Sequence, residues 1–375
     1  MPTPSPTTRA RAAIVRQIGA PLSLEEVEVE APRASEVRVR MVGAGICHTD
    51  LVFRDGAGFS LPVPFVAGHE GSGVVEAVGA AVTSLQPGDH VVLSFHSCAA
   101  CPSCRKQLPA YCFNFGPLNL SGGRGSDGSS PLSQAGQRIN AAFFNQSSFA
   151  TQAIVDVRNA VKVPQDVPLD ILGPLGCGVQ TGAGAAINSL RLGPGDSLAI
   201  FGAGGVGLSA LLGALAVGAG PVIVIDPNPA RRQLAIELGA AHAIDPSANP
   251  DVLGTLRELS GGGVTHALDT TGIPAVVAVA GEAVLYNGML GLLGVPPADA
   301  MLPLNMMSML ARGAGVKYIV EGDADPQTFI PRLIDLYRAG RFPFDRLIAK
   351  FPFEQINEAM QASERGEVVK PVLVF

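Results

Sequence analysis

Cys98, Cys101, Cys104 and Cys112 follow the spacing C-x2-C-x2-C-x7-C, and no other stretch constrains the fold of this chain so tightly. Four thiolates this close in sequence can wrap one ion tetrahedrally, which leaves no position for water and makes such a site structural. An iron–sulfur cluster and plain buried cysteines are the alternatives. A ferredoxin-like run ends in C-x3-C-P, which this one does not. Zinc is the expected ion. The remaining cysteines, Cys47 and Cys177, stand apart. Each alone reads as a buried thiol. Six cysteines could in principle form three disulfides, but clustered spacing in an intracellular chain points to metal binding.

Length and charge narrow the class. At 375 residues the chain is too long for one core, so two domains are expected. It is 47% hydrophobic and 15% charged, against about 25% charged for an ordinary soluble domain, which implies a large buried interior and subunit interfaces. A net charge of -6 and the lack of a Lys/Arg cluster argue against a nucleic-acid partner. The Pro/Thr-rich start, Met1 to Ala13, has no apolar core of a signal peptide. The uncharged run Leu198 to Ile225 imitates a membrane span, but its glycines break it into strand, turn, helix and strand. A soluble, cytoplasmic protein without a membrane partner is the expectation.

The first third alternates apolar and polar residues in short runs, as in Glu36–Met41 and Gly73–Val78, and Val91–Leu93 follows the turn Pro87-Gly88-Asp89. These read as strands of an all-β region. The Gly/Ser-rich segment from Leu118 to Gln137 reads as a long loop. From about Thr181 the pattern changes. Leu198–Phe201, Val222–Ile225, His266–Leu268 and Met289–Gly294 are continuously apolar, as parallel strands buried on both faces should be. Arg231–Leu238 and Val252–Leu259 between them read as helices. This is a doubly wound α/β domain.

Gly202-Ala203-Gly204-Gly205-Val206-Gly207 matches G-x-G-x-x-G. In a chain with 45 glycines the motif alone is weak; its setting, after a strand and opening a helix, lets the backbone approach a pyrophosphate at the helix N-terminus. Asp226 ends the next strand, 19 residues past Gly207. An acid there accepts the ribose hydroxyls of NAD and repels the 2′-phosphate of NADP. Arg231 and Arg232 lie close enough in sequence to tolerate a phosphate, but NAD is the expected coenzyme.

Cys47 in Gly45-Ile46-Cys47-His48-Thr49-Asp50, His69 in Gly68-His69-Glu70-Gly71, the four-cysteine lobe and Cys177 together resemble the zinc-dependent medium-chain alcohol dehydrogenases over nearly the whole chain. Two thiolates and one imidazole make a three-ligand zinc site with an open fourth position, the ligand set of catalytic zinc in alcohol dehydrogenase. The resemblance implies a GroES-like β-rich catalytic domain (residues 1–178 and 322–375) and a Rossmann domain binding NAD (residues 179–321). It also implies two zinc ions per subunit: a catalytic one on Cys47, His69 and Cys177, and a structural one on the lobe. It places Asp50 behind His69, Glu70 behind the zinc, and Thr49 on the substrate hydroxyl. Val52 stands where well-known members carry the histidine that ends the proton relay, which leaves water or His48 as the exit. Val206 and Thr181 would flank the nicotinamide, with His48 and Lys370 at the pyrophosphate.

Phe149, in the run Phe143–Phe149, and Phe95 are the expected walls of the substrate pocket. The segments Leu120–Arg124, Asp127–Pro131 and Asp323–Pro326 look most like the aryl-alcohol (benzyl alcohol) branch. The expected reaction is reversible hydride transfer between a primary alcohol and NAD, giving the aldehyde. Geraniol- or perillyl-type allylic alcohol dehydrogenases are the nearest alternative, and glutathione-dependent formaldehyde dehydrogenase a more distant one. A non-catalytic NAD-binding sensor or structural protein is the rival from another class. The apolar run Met301 to Leu310 reads as a subunit interface or as core, and family members are dimers or tetramers, so a homo-oligomer is expected.

Overall fold

The computed structural model describes residues 7–58 and 60–375. The chain forms two compact units. One comprises the chain up to Cys177 with Asp325–Pro331 and Ile348–Phe375; the other comprises Gly178–Ala324 and Arg332–Leu347.

The first unit is built on two sheets. In the seven-stranded sheet, Glu36–Gly45 lies between Gly71–Val78 and Lys370–Val374 and also pairs with Gln152–Asp156. Its alternation is that of a half-buried strand: Val37, Val39 and Met41 are buried, while Arg38 and Arg40 reach Glu76 on the neighbouring strand at 3.5 and 3.7 Å. The five-stranded sheet joins Thr8–Val15 and Ser23–Val29 to the hairpin Leu132–Gln134/Gln137–Ile139.

That hairpin corrects the reading of Leu118 to Gln137 as one long loop. Ala135 and Gly136, both with positive φ, make its two-residue turn, the conformation whose twist suits the flanking strands. The rest of the segment is pinned by buried Arg124, whose guanidinium contacts Glu36 at 2.6 and 3.1 Å and Glu30 at 2.9 Å. A two-pronged contact with a carboxylate fixes orientation as well as distance.

The second unit holds a six-stranded parallel sheet. In chain order its strands are β1 Leu198–Phe201, β2 Val222–Ile225, β3 His242–Ile244, β4 Val264–Asp269, β5 Val284–Leu292 and β6 Gly315–Tyr318. In space they run 3-2-1-4-5-6, all parallel, the order of a dinucleotide-binding fold. The uncharged run from Leu198 to Ile225 resolves into β1, the helix Gly205–Ala216 and β2. No helix among the described residues is long and apolar enough to cross a membrane.

Two expected boundaries shift. The last long strand begins at Val284 and ends at Leu292, rather than running Met289–Gly294. Residues 332–347, expected with the first domain, belong to the second unit: the Arg341 side chain donates to the Ala216 carbonyl, and Arg346 contacts Glu237.

The helix Gly178–Gly184 packs closely on Gly205–Ala216 because glycines face the contact. A Cβ on Gly182 would lie 2.0 Å from the Val206 carbonyl oxygen, and one on Gly213 2.9 Å from Ala183 Cα. Overpacking a well-filled contact costs about 1–3 kcal/mol. Gly182→Ala is therefore expected to lower Tm by a few degrees in thermal unfolding, whereas Gly193→Ala, which meets nothing within 4 Å, should leave it near the parent value.

Candidate functional site

The strand Glu36–Gly45 delivers Cys47 to the N-terminus of the short helix His48–Asp55. Asp50, three residues on, accepts the Cys47 amide at 2.9 Å through Oδ2. Through Oδ1 it accepts the Gly68 amide at 3.0 Å and contacts His69 Nδ1 at 2.9 Å. A carboxylate on Nδ1 makes that nitrogen the donor and leaves Nε2 as the free lone pair. His69 Nε2 is buried and has no hydrogen-bond partner. Gly68 must be glycine: its φ is +90°, and a Cβ would sit 2.5 Å from the Phe149 amide.

The ligand atoms of Cys47, His69, Glu70 and Cys177 lie within 4.8 Å of one another. Two thiols, a bare imidazole nitrogen and a carboxylate, gathered away from solvent, fit zinc in chemistry and number. The Cys47 thiol falls well below its ordinary value through its hydrogen bond with Cys177, against burial, with Lys370 and His69 adding attraction. Glu70 is fully buried, and both its oxygens meet Lys370 Nζ, at 2.9 and 3.0 Å. Burial raises the Glu70 carboxyl and Lys370 opposes it. Burial also pulls on the Lys370 ammonium, but Glu70 holds it above the ordinary lysine value.

Lys370 was expected at a pyrophosphate. It is 4% exposed, and its ammonium faces Glu70 and the Ile46 carbonyl. Thr49 Oγ1 lies 3.8 Å from Cys47 Sγ. His48 is exposed, and Val52 is half-buried on the same helix.

The four lobe sulfurs also lie within 4.8 Å of one another. Backbone amides point at them: Cys101 at Cys98 Sγ (3.3 Å), Cys98 and Asn114 at Cys112 Sγ (3.3 and 3.4 Å), and Phe113 at Cys101 Sγ (3.5 Å). Amides from Ala100 and Cys101 bring the Cys98 thiol down to about 6. Donors arrayed around sulfur favour the thiolate, the form that ligates metal.

In the second unit the three motif glycines meet three different demands. Gly202 turns with φ +98°; Gly204 has nothing within 4 Å of a would-be Cβ; a Cβ on Gly207 would lie 1.9 Å from the Gly202 carbonyl. These are the turn, the open approach and the close helix packing that a dinucleotide requires. Asp226 accepts the Ala203 amide at 2.6 Å and the Asn228 amide at 2.8 Å. Beside it a mostly apolar hollow of about 440 Å³ is lined by Phe201, Ile225, Asp226, Thr271 and Ile273. The buried Nε of Arg231 has no partner, while Arg232 bonds the Asp226 carbonyl and Asp245. Val206 is half-buried, and Thr181 donates to Glu321 at 3.2 Å.

The expected pocket walls fall differently from one another. Phe149 is fully buried, its backbone and ring against Gly68, and Phe95 is 4% exposed beside Phe115. The rings that meet His69 are Phe144, stacked at 4.6 Å, and Phe143, edge-on at 5.5 Å. Both lie in the segment the sequence singled out, but apolar character alone did not distinguish them from Phe149.

Known proteins match along the whole chain. Residues 33–165 match the family model "Alcohol dehydrogenase GroES-like domain", and residues 205–338 match "Zinc-binding dehydrogenase". A geraniol dehydrogenase of Castellaniella defragrans is 56% identical, covering 98% of both chains. Among solved structures, an alcohol dehydrogenase zinc-binding domain protein from Burkholderia ambifaria is 48% identical with a TM-score of 0.96, covering 99% of this chain and 100% of its own. Benzyl alcohol dehydrogenase from Acinetobacter calcoaceticus is 42% identical with a TM-score of 0.94, covering 98% and 99%. The paired cysteine centres, the 3-2-1-4-5-6 sheet and these likenesses place the chain in the zinc-dependent medium-chain alcohol dehydrogenase family.

Proposed function

We propose that this dehydrogenase interconverts a primary allylic alcohol of the geraniol type and its aldehyde, with NAD as hydride carrier. The observation that carries the substrate is the 56% identity, over 98% of both chains, with a geraniol dehydrogenase. It favours the allylic alternative over the aryl reading of the sequence. Aryl alcohols are the second reading, supported by the likeness to a benzyl alcohol dehydrogenase structure. Both classes carry the hydroxyl on a carbon next to a π-system.

Zinc, when bound, supplies the Lewis acidity that makes an alcohol hydroxyl easier to deprotonate, and NAD takes up the hydride. The protein's own groups do the rest. Cys47, His69 and Cys177 hold the ion, with Asp50 fixing the His69 tautomer. The Thr49 hydroxyl, beside Cys47, receives the substrate proton, and exposed His48 passes it to solvent, because Val52 offers no titratable group. The glycine turn with Asp226, Arg231, Val206 and Thr181 seats the coenzyme, and the apolar hollow beside Asp226 suits an adenine ring. Asp226 favours NAD over NADP by repelling a 2′-phosphate. The full set of metal donors supports an enzyme over a sensor on the same fold.

We also propose a homo-oligomer formed through the second unit. Met301, Met306, Met307 and Leu310 are 71–86% exposed, with Tyr286 at 75%, and so many large apolar side chains left in water within one short run favour an interaction site. Sedimentation velocity should return a dimer or tetramer, with Leu310→Asp shifting it toward monomer; a monomeric parent protein would refute this.

A steady-state panel with NAD should give kcat/KM in the order geraniol, benzyl alcohol, ethanol. Benzyl alcohol ahead of geraniol would replace the allylic reading with the aryl one. Elemental analysis should find two zinc ions per subunit, and Cys47→Ser should lose turnover while still quenching NADH fluorescence on binding. Full activity in that variant would remove the catalytic-zinc assignment.

A further inference from the structure

Behind His69 runs a buried strap, residues 143–148, whose backbone is unusual. Phe144, Asn145 and Ser147 all have φ between 48° and 52°, a left-handed conformation that costs non-glycine residues energy and persists where surrounding structure enforces it. The enforcement is a polar network. Ser147 Oγ donates to the Val66 carbonyl at 2.7 Å and accepts the Phe143 amide at 3.0 Å. Asn145 Oδ1 takes the Asp156 amide at 2.9 Å. Gln146 donates to the His69 carbonyl at 3.0 Å and accepts the Gly71 amide at 3.1 Å, so it holds the backbone on either side of Glu70, directly after the ligand residue.

Ser94, fully buried, joins this strap to a second ligand. Its carbonyl accepts Gln146 Nε2 at 3.2 Å and Asn159 Nδ2 at 3.0 Å, and its hydroxyl donates to the Gly176 carbonyl at 2.6 Å, one residue before Cys177. Asn159 Nδ2 also holds the Phe144 carbonyl at 3.1 Å. With that carbonyl fixed and φ left-handed, the Phe144 ring lies on the imidazole of His69 at 4.6 Å and 27°, while Phe143 closes on it edge-on and Asp50 holds Nδ1. The imidazole is thus held by two mutually packed rings and at one nitrogen, and Nε2 keeps its direction.

We propose that Phe144, Gln146, Ser94 and Asn159 form a positioning device for the catalytic zinc centre, which sets the His69 ring and the Cys177 backbone together. Its members touch neither substrate nor coenzyme through these contacts; they act on the metal ligands. The chemistry favours this over plain core packing. A core position has no need of three left-handed residues, and the amide side chains are aimed at the carbonyls of His69, Phe144 and Ser94.

The proposal rests on the zinc assignment but not on the choice of alcohol. Its test is zinc release from the holoenzyme to a metallochromic chelator, together with Tm and total zinc content. In Phe144→Ala and Asn159→Ala one of the two zinc ions should leave about tenfold faster, the scale for lost partners of metal ligands. The other ion should leave at the parent rate, and Phe144→Tyr, which keeps the ring, should restore parent behaviour. Asn159→Ala acts from outside the aromatic cluster, so it reads the strap even if Phe144→Ala does not fold. Unchanged release in folded Asn159→Ala, or equal acceleration of both ions, would overturn the device. A parent protein without two zinc ions would instead overturn the zinc assignment beneath it.

Discussion

The carboxylate of Asp50 is the constraint on which the catalytic centre depends. It is fully buried, yet it meets three N–H groups: the amides of Cys47 and Gly68 and the Nδ1 of His69. One side chain thereby fixes the entry to a helix, the turn before a ligand and the tautomer of that ligand. A buried carboxylate is tolerable only when its oxygens are satisfied in this way. Because the two ligand-bearing segments share it, Cys47 and His69 are placed relative to each other by one hydrogen-bonded group rather than by separate loops.

The second unit reaches its site by different means. Buried Asp226 holds the Ala203 amide, but steric allowance shapes the rest of the glycine turn. Gly202, Gly204 and Gly207 are each required for another reason, and the helix they open begins where β1 ends, so the fold itself presents free amides to an anion. The first unit buys precision with hydrogen bonds, the second with absent side chains.

Features local in sequence were legible. The four lobe cysteines lie within fifteen residues, and the glycine motif abuts an apolar run, so spacing alone declared both. Cys47, His69 and Cys177 are scattered, and there the family resemblance did what spacing could not. What escaped the sequence was long-range or conformational. Nothing in the tail marks Lys370 as the partner of Glu70, 300 positions earlier. The Gly/Ser-rich segment after Leu118 hid a hairpin and a buried Arg124, because its partners Glu30 and Glu36 come from another part of the chain. Phe144 and Phe149 are alike in character and five residues apart; only the left-handed backbone at Phe144 turns one toward His69 while the other packs on Gly68.

The Glu70–Lys370 pair has a consequence for the charge of the centre. With both cysteines ionised, Cys47, Cys177 and Glu70 carry three negative charges, buried Asp50 beside His69 adds a fourth, and Lys370, lodged on Glu70, returns one. The excess is negative and lies among buried groups, where an uncompensated charge is costly. Charge thus joins ligand chemistry in calling for a cation, and a lysine that grips one member of the donor set trims how much positive charge that cation has to bring.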